Sequence, residues 1–324
     1  MTKKPNSTIE VRVPASTANL GPGFDCFGLA LDVHLVVRAT LLPPGSEAGS
    51  RVRSRGEPGS STLPQSAEAN LIFQAMRLAA QRQGEVLPPM RLAVHNSIPL
   101  ASGLGSSAAA IVAGIVLGFA ACGKKELTAD DVQSALAYAT EMEGHADNAA
   151  AALMGGLAIT LVRGDGSVAA LRKSWPKEIR AVAVTPSFTL ATSKARAALP
   201  ASVSRTDAVS NLQRTAMLVA ALDAQRYDLF WDALQDRLHQ PYRQNLIPGL
   251  AEILQLPRMP GLLGVALSGA GPTAIAFATE GFEAIGKAMT ACFQRRGLNA
   301  ITRTLSIAER GATISQPRPR HRDR

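Results

Sequence analysis

In PLASGLGSSAAAIVAGIVLGFAACG, residues 99–123, Gly103, Gly105, Ser106 and Ser107 stand directly ahead of a long uncharged apolar run. Those residue types at that spacing suit an anion. The first amides of a helix have no internal partners, and the aligned peptide dipoles leave partial positive charge at that end. A phosphate fits there. Glycine lets the backbone approach it without a Cβ in the way, and the two serines add hydroxyl donors that can also reach a metal.

Other readings of the stretch compete. GLGSSA matches the dinucleotide pattern G-x-G-x-x-A, but SIPLAS separates the preceding strand from the glycines. The region about 20 positions on, Lys124 to Thr128, reads as a loop and not as the end of a second strand. No lysine follows the glycines, as a Walker A loop requires. The apolar run from Ala108 to Cys122 is 15 residues, short of the roughly 20 that span a bilayer. An anion cradle and a plain cap on a buried helix remain.

A second constellation, TEMEGHADN at residues 140–148, groups Glu141, Glu143, His145 and Asp147. With no second histidine at ligand spacing, zinc has little support.

The elements that must carry these groups are legible. Glu10 to Pro14 and Leu31 to Leu42 read as strands, followed by a Gly/Ser/Arg-rich loop near Pro43 to Gln65. NLIFQAMRLAAQRQG has helical spacing and ends at Gly84; MRLAVHN alternates as a strand. TADDVQSALAYATEMEG is a helix with Thr128 as its cap, Asp130 and Asp131 in the positive first turn, and Gly144 at its end. GGLAITLVRGDGSVAALRK reads as two strands about a Gly-Asp-Gly turn. Beyond about residue 165 come a strand, a helix, a long helical stretch from Ala208 to Leu256, an apolar hairpin from Gly264 to Ala278, a helix from Phe282 to Arg296 and a last strand.

A chain of 324 residues has length for two lobes. Its 46% hydrophobic and 18% charged residues are those of a globular protein. Cys26, Cys122 and Cys292 lie far apart with no CxxC pair, so neither a disulfide frame nor a zinc site is indicated. The N-terminus builds no apolar signal core, and a cytoplasmic protein is expected. Of the net charge of +9, the final PRPRHRDR supplies +3 from four arginines and one aspartate, and reads as a solvated, disordered end. The remaining charge lacks the interleaved aromatics of a single-strand binder and suits an anionic small substrate. Neither nucleic acid nor membrane is an expected partner.

Three glycine-rich segments fall in order: PASTANLGPGFDCFGLALD at 14–32, PLASGLGSSAA at 99–109 and GVALSGAGPTAIAF at 264–277. Together they resemble the three motifs of the galactokinase, homoserine kinase, mevalonate kinase and phosphomevalonate kinase (GHMP) family. The first of them, with EGHADNAAAALMGG at 143–156, is similar to the homoserine-phosphorylating branch. The resemblance runs from about Val11 to Ile307. It implies an α+β fold with an N-terminal α/β lobe (8–165), a ferredoxin-like C-terminal lobe (166–310) and the basic tail (311–324) outside both. It also implies phosphorylation of the side-chain hydroxyl of L-homoserine, dependent on ATP and Mg2+; a homodimer is left open.

Carried over to this chain, the resemblance places ATP along Pro99, Leu100, Ala101, Ser102, Gly103, Leu104, Gly105, Ser106, Ser107 and Ala108, with Asn70 at adenine. Glu143 is the implied metal ligand, aided by Ser107; Glu141 stays open, as does a solvated role for either acid. Asn148 stands where some sister kinases carry an aspartate base, which implies catalysis without a dedicated strong base, and Asp147 is the fallback. Thr192 is placed at the γ-phosphate.

Homoserine has an ammonium, a carboxylate and a hydroxyl. Asp25 can pair the first, and Asn19 can hold the hydroxyl or amine, unless both only shape an Asx turn in the Gly-Pro-Gly loop. Arg196 and Arg243 match the family positions that clamp the carboxylate, which a planar fork grips better than lysine; surface arginines are the plainer reading. His145 is placed at substrate, with a loop or capping role as the alternative. SGAGPT, 268–273, would turn beside the phosphate loop and close the cleft, or be a simple hairpin turn. A mevalonate-type substrate or a catalytically silent sensor on the same fold also remains open; the first would have no use for Asp25.

Overall fold

The computed structural model describes residues 7–43, 52–56 and 69–316. Strand β1 (Thr8–Ala18) pairs antiparallel along nearly its whole length with β2 (Phe27–Leu41), shifting register at Pro14/Ala15. A proline that cannot donate to the ladder accounts for an irregularity there. β3 (Val52–Gly56) lies parallel to β4 (Met90–Asn96), and β4 pairs with β2. The expected loop from Pro43 to Gln65 therefore contains a strand. Its arginine, serine and glycine hide the strand from propensity, and the pairing with β4 supplies it.

Four helices cover this sheet: α1 (Leu71–Arg82), α2 (Ser106–Ala121), α3 (Ala129–Glu143) and α4 (Asp147–Met154). α2 is buried from Ala108 through Ala120, which explains its uniform apolarity: it has no solvent face to polarise. Among the described residues no helix is long and apolar enough to cross a membrane. The hairpin of β5 (Leu157–Val162) and β6 (Val168–Lys173) joins the start of β2, so the N-terminal sheet continues past the boundary expected at 165.

The second lobe comprises β7 (Arg180–Pro186), α5 (Thr192–Ala197), α6 (Arg205–Asp223), α7 (Phe230–Ala233), α8 (Gln240–Arg243), α9 (Leu250–Leu254), β8 (Leu262–Leu267), β9 (Ala274–Ala278), α10 (Phe282–Gln294) and β10 (Ala300–Leu305). Its antiparallel sheet runs β10-β7-β9-β8, the ferredoxin-like order. The expected helical stretch from Ala208 to Leu256 is broken after α6 into short helices; Pro241, Pro248 and Gly249 interrupt it. The chain then returns to the first lobe, where β11 (Thr313–Ser315) pairs with Glu10–Arg12 of β1. The tail expected from 311 onward thus begins with a strand, held by a ladder that local composition does not signal; residues 317–324 lie outside the described residues.

Side-chain alternation assigns the two faces of the second sheet. Ala181, Ala183, Ile275 and Phe277 join the core that runs through the first lobe, while Val182, Val184, Ala274 and Ala276 face a separate core with Ile285 and Phe293 of α10. The lobes therefore share one apolar core, and their loops meet above it.

Candidate active site

The loop before α2 is built by its own turns and by the second lobe. Asn96 accepts from Ile98 N and donates to Ile98 O, and Ser102 Oγ donates to Pro99 O. From the β8–β9 connection, Ser268 Oγ donates to Gly103 O at 2.7 Å and lies 2.8 Å from Thr17 Oγ1, and Thr273 N donates to Ser102 O. SGAGPT is thus the clamp on the loop.

Gly103 and Gly105 have φ of +85° and +68°, and a Cβ on them would collide with Ser268 O and Ser16 Oγ respectively. The reason for glycine differs from the one read in the sequence: the space is filled by protein, and the left-handed backbone and close packing exclude a side chain. As the N-cap of α2, Gly105 offers no side-chain acceptor, and no acid occupies the first turn. The first helical bond is Ala109 N to Gly105 O, so the amides of residues 106–108 stand ahead of it; of these residues Ser106 and Ser107 line the cleft.

Opposite this helix end, α3 stops at Glu143 because Gly144 turns left-handed at φ +85°. Ser107 Oγ donates to Glu143 Oε2 at 2.9 Å. Glu141, two residues earlier, points elsewhere and forms a forked pair with Arg82 at 3.1 and 3.0 Å. At the head of α4, Asp147 is 2% exposed and accepts from His145 Nδ1 (2.8 Å) and Asn148 N (2.6 Å). Burial pulls the His145 pKa down, but the bond and charge of Asp147, with Glu143 beyond, outweigh it and leave the pKa raised. Asn148 Oδ1 accepts from Ser16 Oγ at 2.8 Å.

The far end of the cleft holds the charges suited to an amino acid. Asn19 and Asp25 both take positive φ, and Asn19 braces the turn by accepting from Asp25 N and donating to Gly269 O. Arg196 grips the Asp25 carboxylate with two bonds, 3.0 and 2.8 Å. Arg243 is 1% exposed; it donates to Ala195 O, Gly269 O and His239 Nδ1, and forms no ion pair among the described residues. Burial, and then Arg196, pull its pKa down.

Beneath both guanidinium groups lies the Phe24 ring, 5.8 Å from Arg196 and 5.2 Å from Arg243. His239 stacks on the same ring and donates through Nε2 to Gly21 O at 2.8 Å. A carbonyl only accepts, so Nε2 carries the proton and Nδ1 is the acceptor that Arg243 uses. Asp236 receives the amides of Leu238, His239 and Gln240, and Asn211 bridges it to Pro22 O.

Of the residues singled out in the sequence, the cleft is lined by Asn19, Asp25, Ala101, Ser102, Gly103, Gly105, Ser106, Ser107, Glu143, His145, Asp147, Asn148, Thr192, Arg196 and Arg243. Pro99, Leu100, Leu104 and Ala108 are not among its lining, and neither is Asn70, which caps α1 by accepting from Ile72 N. Among the described residues no three His, Cys, Asp or Glu side chains gather around a metal-sized space.

Comparison with known proteins identifies the family. The GHMP kinases N terminal domain matches residues 70–156, and the GHMP kinases C terminal domain matches residues 218–294. A homoserine kinase of Solibacter usitatus is 42% identical over 96% of this chain and 98% of its own length. That of Desulfitobacterium hafniense is 40% identical over 94% and 99%. The chain belongs to the GHMP kinase family. The crystal structure of homoserine kinase from Cytophaga hutchinsonii superposes with a TM-score of 0.83 at 28% identity, covering 97% of this chain and 99% of that one.

In this GHMP kinase the helix-end cradle and Glu143 lie inside the N-terminal match, whereas Asn19, Asp25 and Arg196 fall outside both matched segments. Sequence reasoning missed Ser16, Phe24 and His239 as contributors to the site. Ser16 and Phe24 sit inside the stretch 14–32, and His239 lies four residues before Arg243, so position was the available signal. Asn211 and Asp236 gave none: their work is to tie α6 and the start of α8 to the 21–25 loop, a contact only folding creates.

Proposed function

We propose that this chain is a homoserine kinase, which transfers the γ-phosphoryl group of ATP to the side-chain hydroxyl of L-homoserine in threonine biosynthesis. Full-length similarity at about 40% identity to homoserine kinases supports the reaction. The observation that carries the substrate is Arg243. A guanidinium 1% exposed without a carboxylate partner among the described residues is costly to bury, and a substrate carboxylate relieves that cost. Asp25 beside it supplies a counter-charge for the ammonium, which a mevalonate-type acid lacks.

The chemistry asks for charge neutralisation and alignment. The amides of residues 106 and 107 and the Ser106 hydroxyl receive phosphate oxygens at the α2 end, and Thr192 receives the γ-phosphate. Arg196, Arg243, Asp25 and Asn19 fix the amino-acid end, so the hydroxyl is delivered toward Asn148. Its oxygen forms the new bond to phosphorus as the bond to ADP breaks, and its proton passes to an oxygen of the transferred phosphoryl group. Asn148 is no base, and Asp147 is engaged by His145 and Asn148 N; orientation of the hydroxyl by Asn148, itself fixed by Ser16, is the role these residues support.

Ser107 Oγ and the Glu143 carboxylate are hard oxygen donors 2.9 Å apart and would hold Mg2+. When bound, the ion supplies neutralisation of phosphoryl charge. We place the enzyme in the cytoplasm; none of its three cysteines is in a disulfide.

A coupled assay of ADP release with homoserine, mevalonate, galactose and shikimate tests the assignment. Turnover of homoserine far above the others is expected. Release with mevalonate but not homoserine overturns it.

A further inference from the structure

Asp25 and Arg196 satisfy each other across the mouth of the cleft through two parallel bonds, yet each side chain stays 37% exposed and lines the cavity. Neither residue is free to drift. Asp25 is held at φ +53° with its amide on Asn19, and Arg196 extends from α5 over the Phe24 ring. Arg243, whose guanidinium packs on the same ring, is buried and has no ion pair among the described residues. Around Phe24 there are thus two guanidinium groups and one carboxylate.

Ligands of different charge meet this arrangement differently. A zwitterion can open the pair without stranding either member, since its ammonium takes Asp25 while its carboxylate takes Arg196 and Arg243. A ligand with a carboxylate alone can reach Arg243, but gains Arg196 only by drawing it away and leaving Asp25 without a cation. A ligand with an ammonium alone leaves Arg196 without an anion. Removing one partner from this half-exposed pair leaves the other charge without its counter-ion where solvent compensates only in part.

We infer that the Asp25–Arg196 pair is a specificity device: it competes with any ligand carrying only one of the two charges, and so restricts the site to α-amino acids. Rejection then comes from a competing interaction as well as from contacts made to the correct substrate. The inference rests on the substrate reading above and adds to it: a site that merely bound both charges would lose affinity for ligands carrying the matching charge when one partner is removed, and would gain none for the others.

The test uses Asp25→Asn and Arg196→Gln in the full-length chain. Asparagine tolerates the left-handed backbone at position 25. Circular dichroism and melting first establish that each variant is folded. Binding of three ligands is then measured by calorimetry: L-homoserine, 4-hydroxybutyrate (carboxylate and hydroxyl) and 3-aminopropan-1-ol (ammonium and hydroxyl).

Asp25→Asn should weaken homoserine about ten- to a hundredfold and strengthen 4-hydroxybutyrate severalfold, because Arg196 is released. Arg196→Gln should likewise weaken homoserine and strengthen 3-aminopropan-1-ol. Gains in these one-charge ligands support the competing role. If the one-charge ligands bind the variants no better than the native chain, or more weakly, the pair is a structural brace and the inference falls. Failure of the native chain to bind or turn over homoserine is a separate result, and overturns the substrate reading instead.

Discussion

Ser107 Oγ donates to Glu143 Oε2 at 2.9 Å, joining the second residue of α2 to the last residue of α3. The bond sets a carboxylate against a helix end otherwise lined with amide donors. It also separates Glu143 from Glu141, which lies outside the cleft on Arg82.

Glu143→Gln should therefore lower kcat by about a hundredfold or more and raise the Mg2+ concentration needed for half-maximal rate. Glu141→Gln breaks an exposed pair and should change stability by about 1 kcal/mol or less, with turnover nearly native. Steady-state kinetics across a Mg2+ series checks both. The opposite ranking would move the metal site to Glu141.

Ser268 reaches Gly103 O across 165 residues of sequence and is itself fully buried. Ser268→Ala leaves that carbonyl without its donor and should cost about 1–3 kcal/mol, measured by urea unfolding. The KM for ATP should rise as the loop loosens. Nucleotide affinity unchanged in a destabilised variant would mean that the clamp serves the fold alone.

Arg243→Lys keeps the charge but loses the fork that reaches Ala195 O, Gly269 O and His239. The KM for homoserine should rise about ten- to a hundredfold, while the KM for ATP moves by less than about twofold. Weakened ATP with homoserine spared would identify a phosphate clamp instead.

His239 is fully buried, and burial first, with Arg243 adding to it, holds its pKa below the ordinary histidine value against the opposing pull of Asp236. Between the lowered folded value and the unfolded one, the unfolded chain takes up a proton that the folded chain refuses. Its contribution to stability is therefore present above the ordinary histidine pKa and is lost as the pH falls toward the folded value. Melting temperatures across pH 5 to 8 should fall on the acid side, and more steeply for the native chain than for His239→Gln. His34 acts with the same sign and His145 with the opposite one, so the difference between the two profiles is what tests His239. Identical profiles would show that its protonation is not coupled to folding.

What the sequence determined by itself is local. The glycine-serine join before an uncharged run requires a buried helix with an open N-terminus, because amides ahead of the first helical bond exist wherever such a helix starts. Thr128, Asp131 and Gly144 likewise delimit α3 by capping chemistry that acts within a few residues. Glu141 and Glu143 could not be told apart on those grounds: two residues is more than half a helical turn, so they face different sides, and only the position of α2 says which side is the cleft. Folding also decided that the glycine positions are filled by Ser268 and Ser16, that Thr313–Ser315 rejoin the first sheet, and that Arg243 is buried without a carboxylate while Arg196 takes Asp25. These are contacts between segments over a hundred residues apart or between side chains on different elements. Their energies depend on distance and burial, which the order of residues along the chain does not carry.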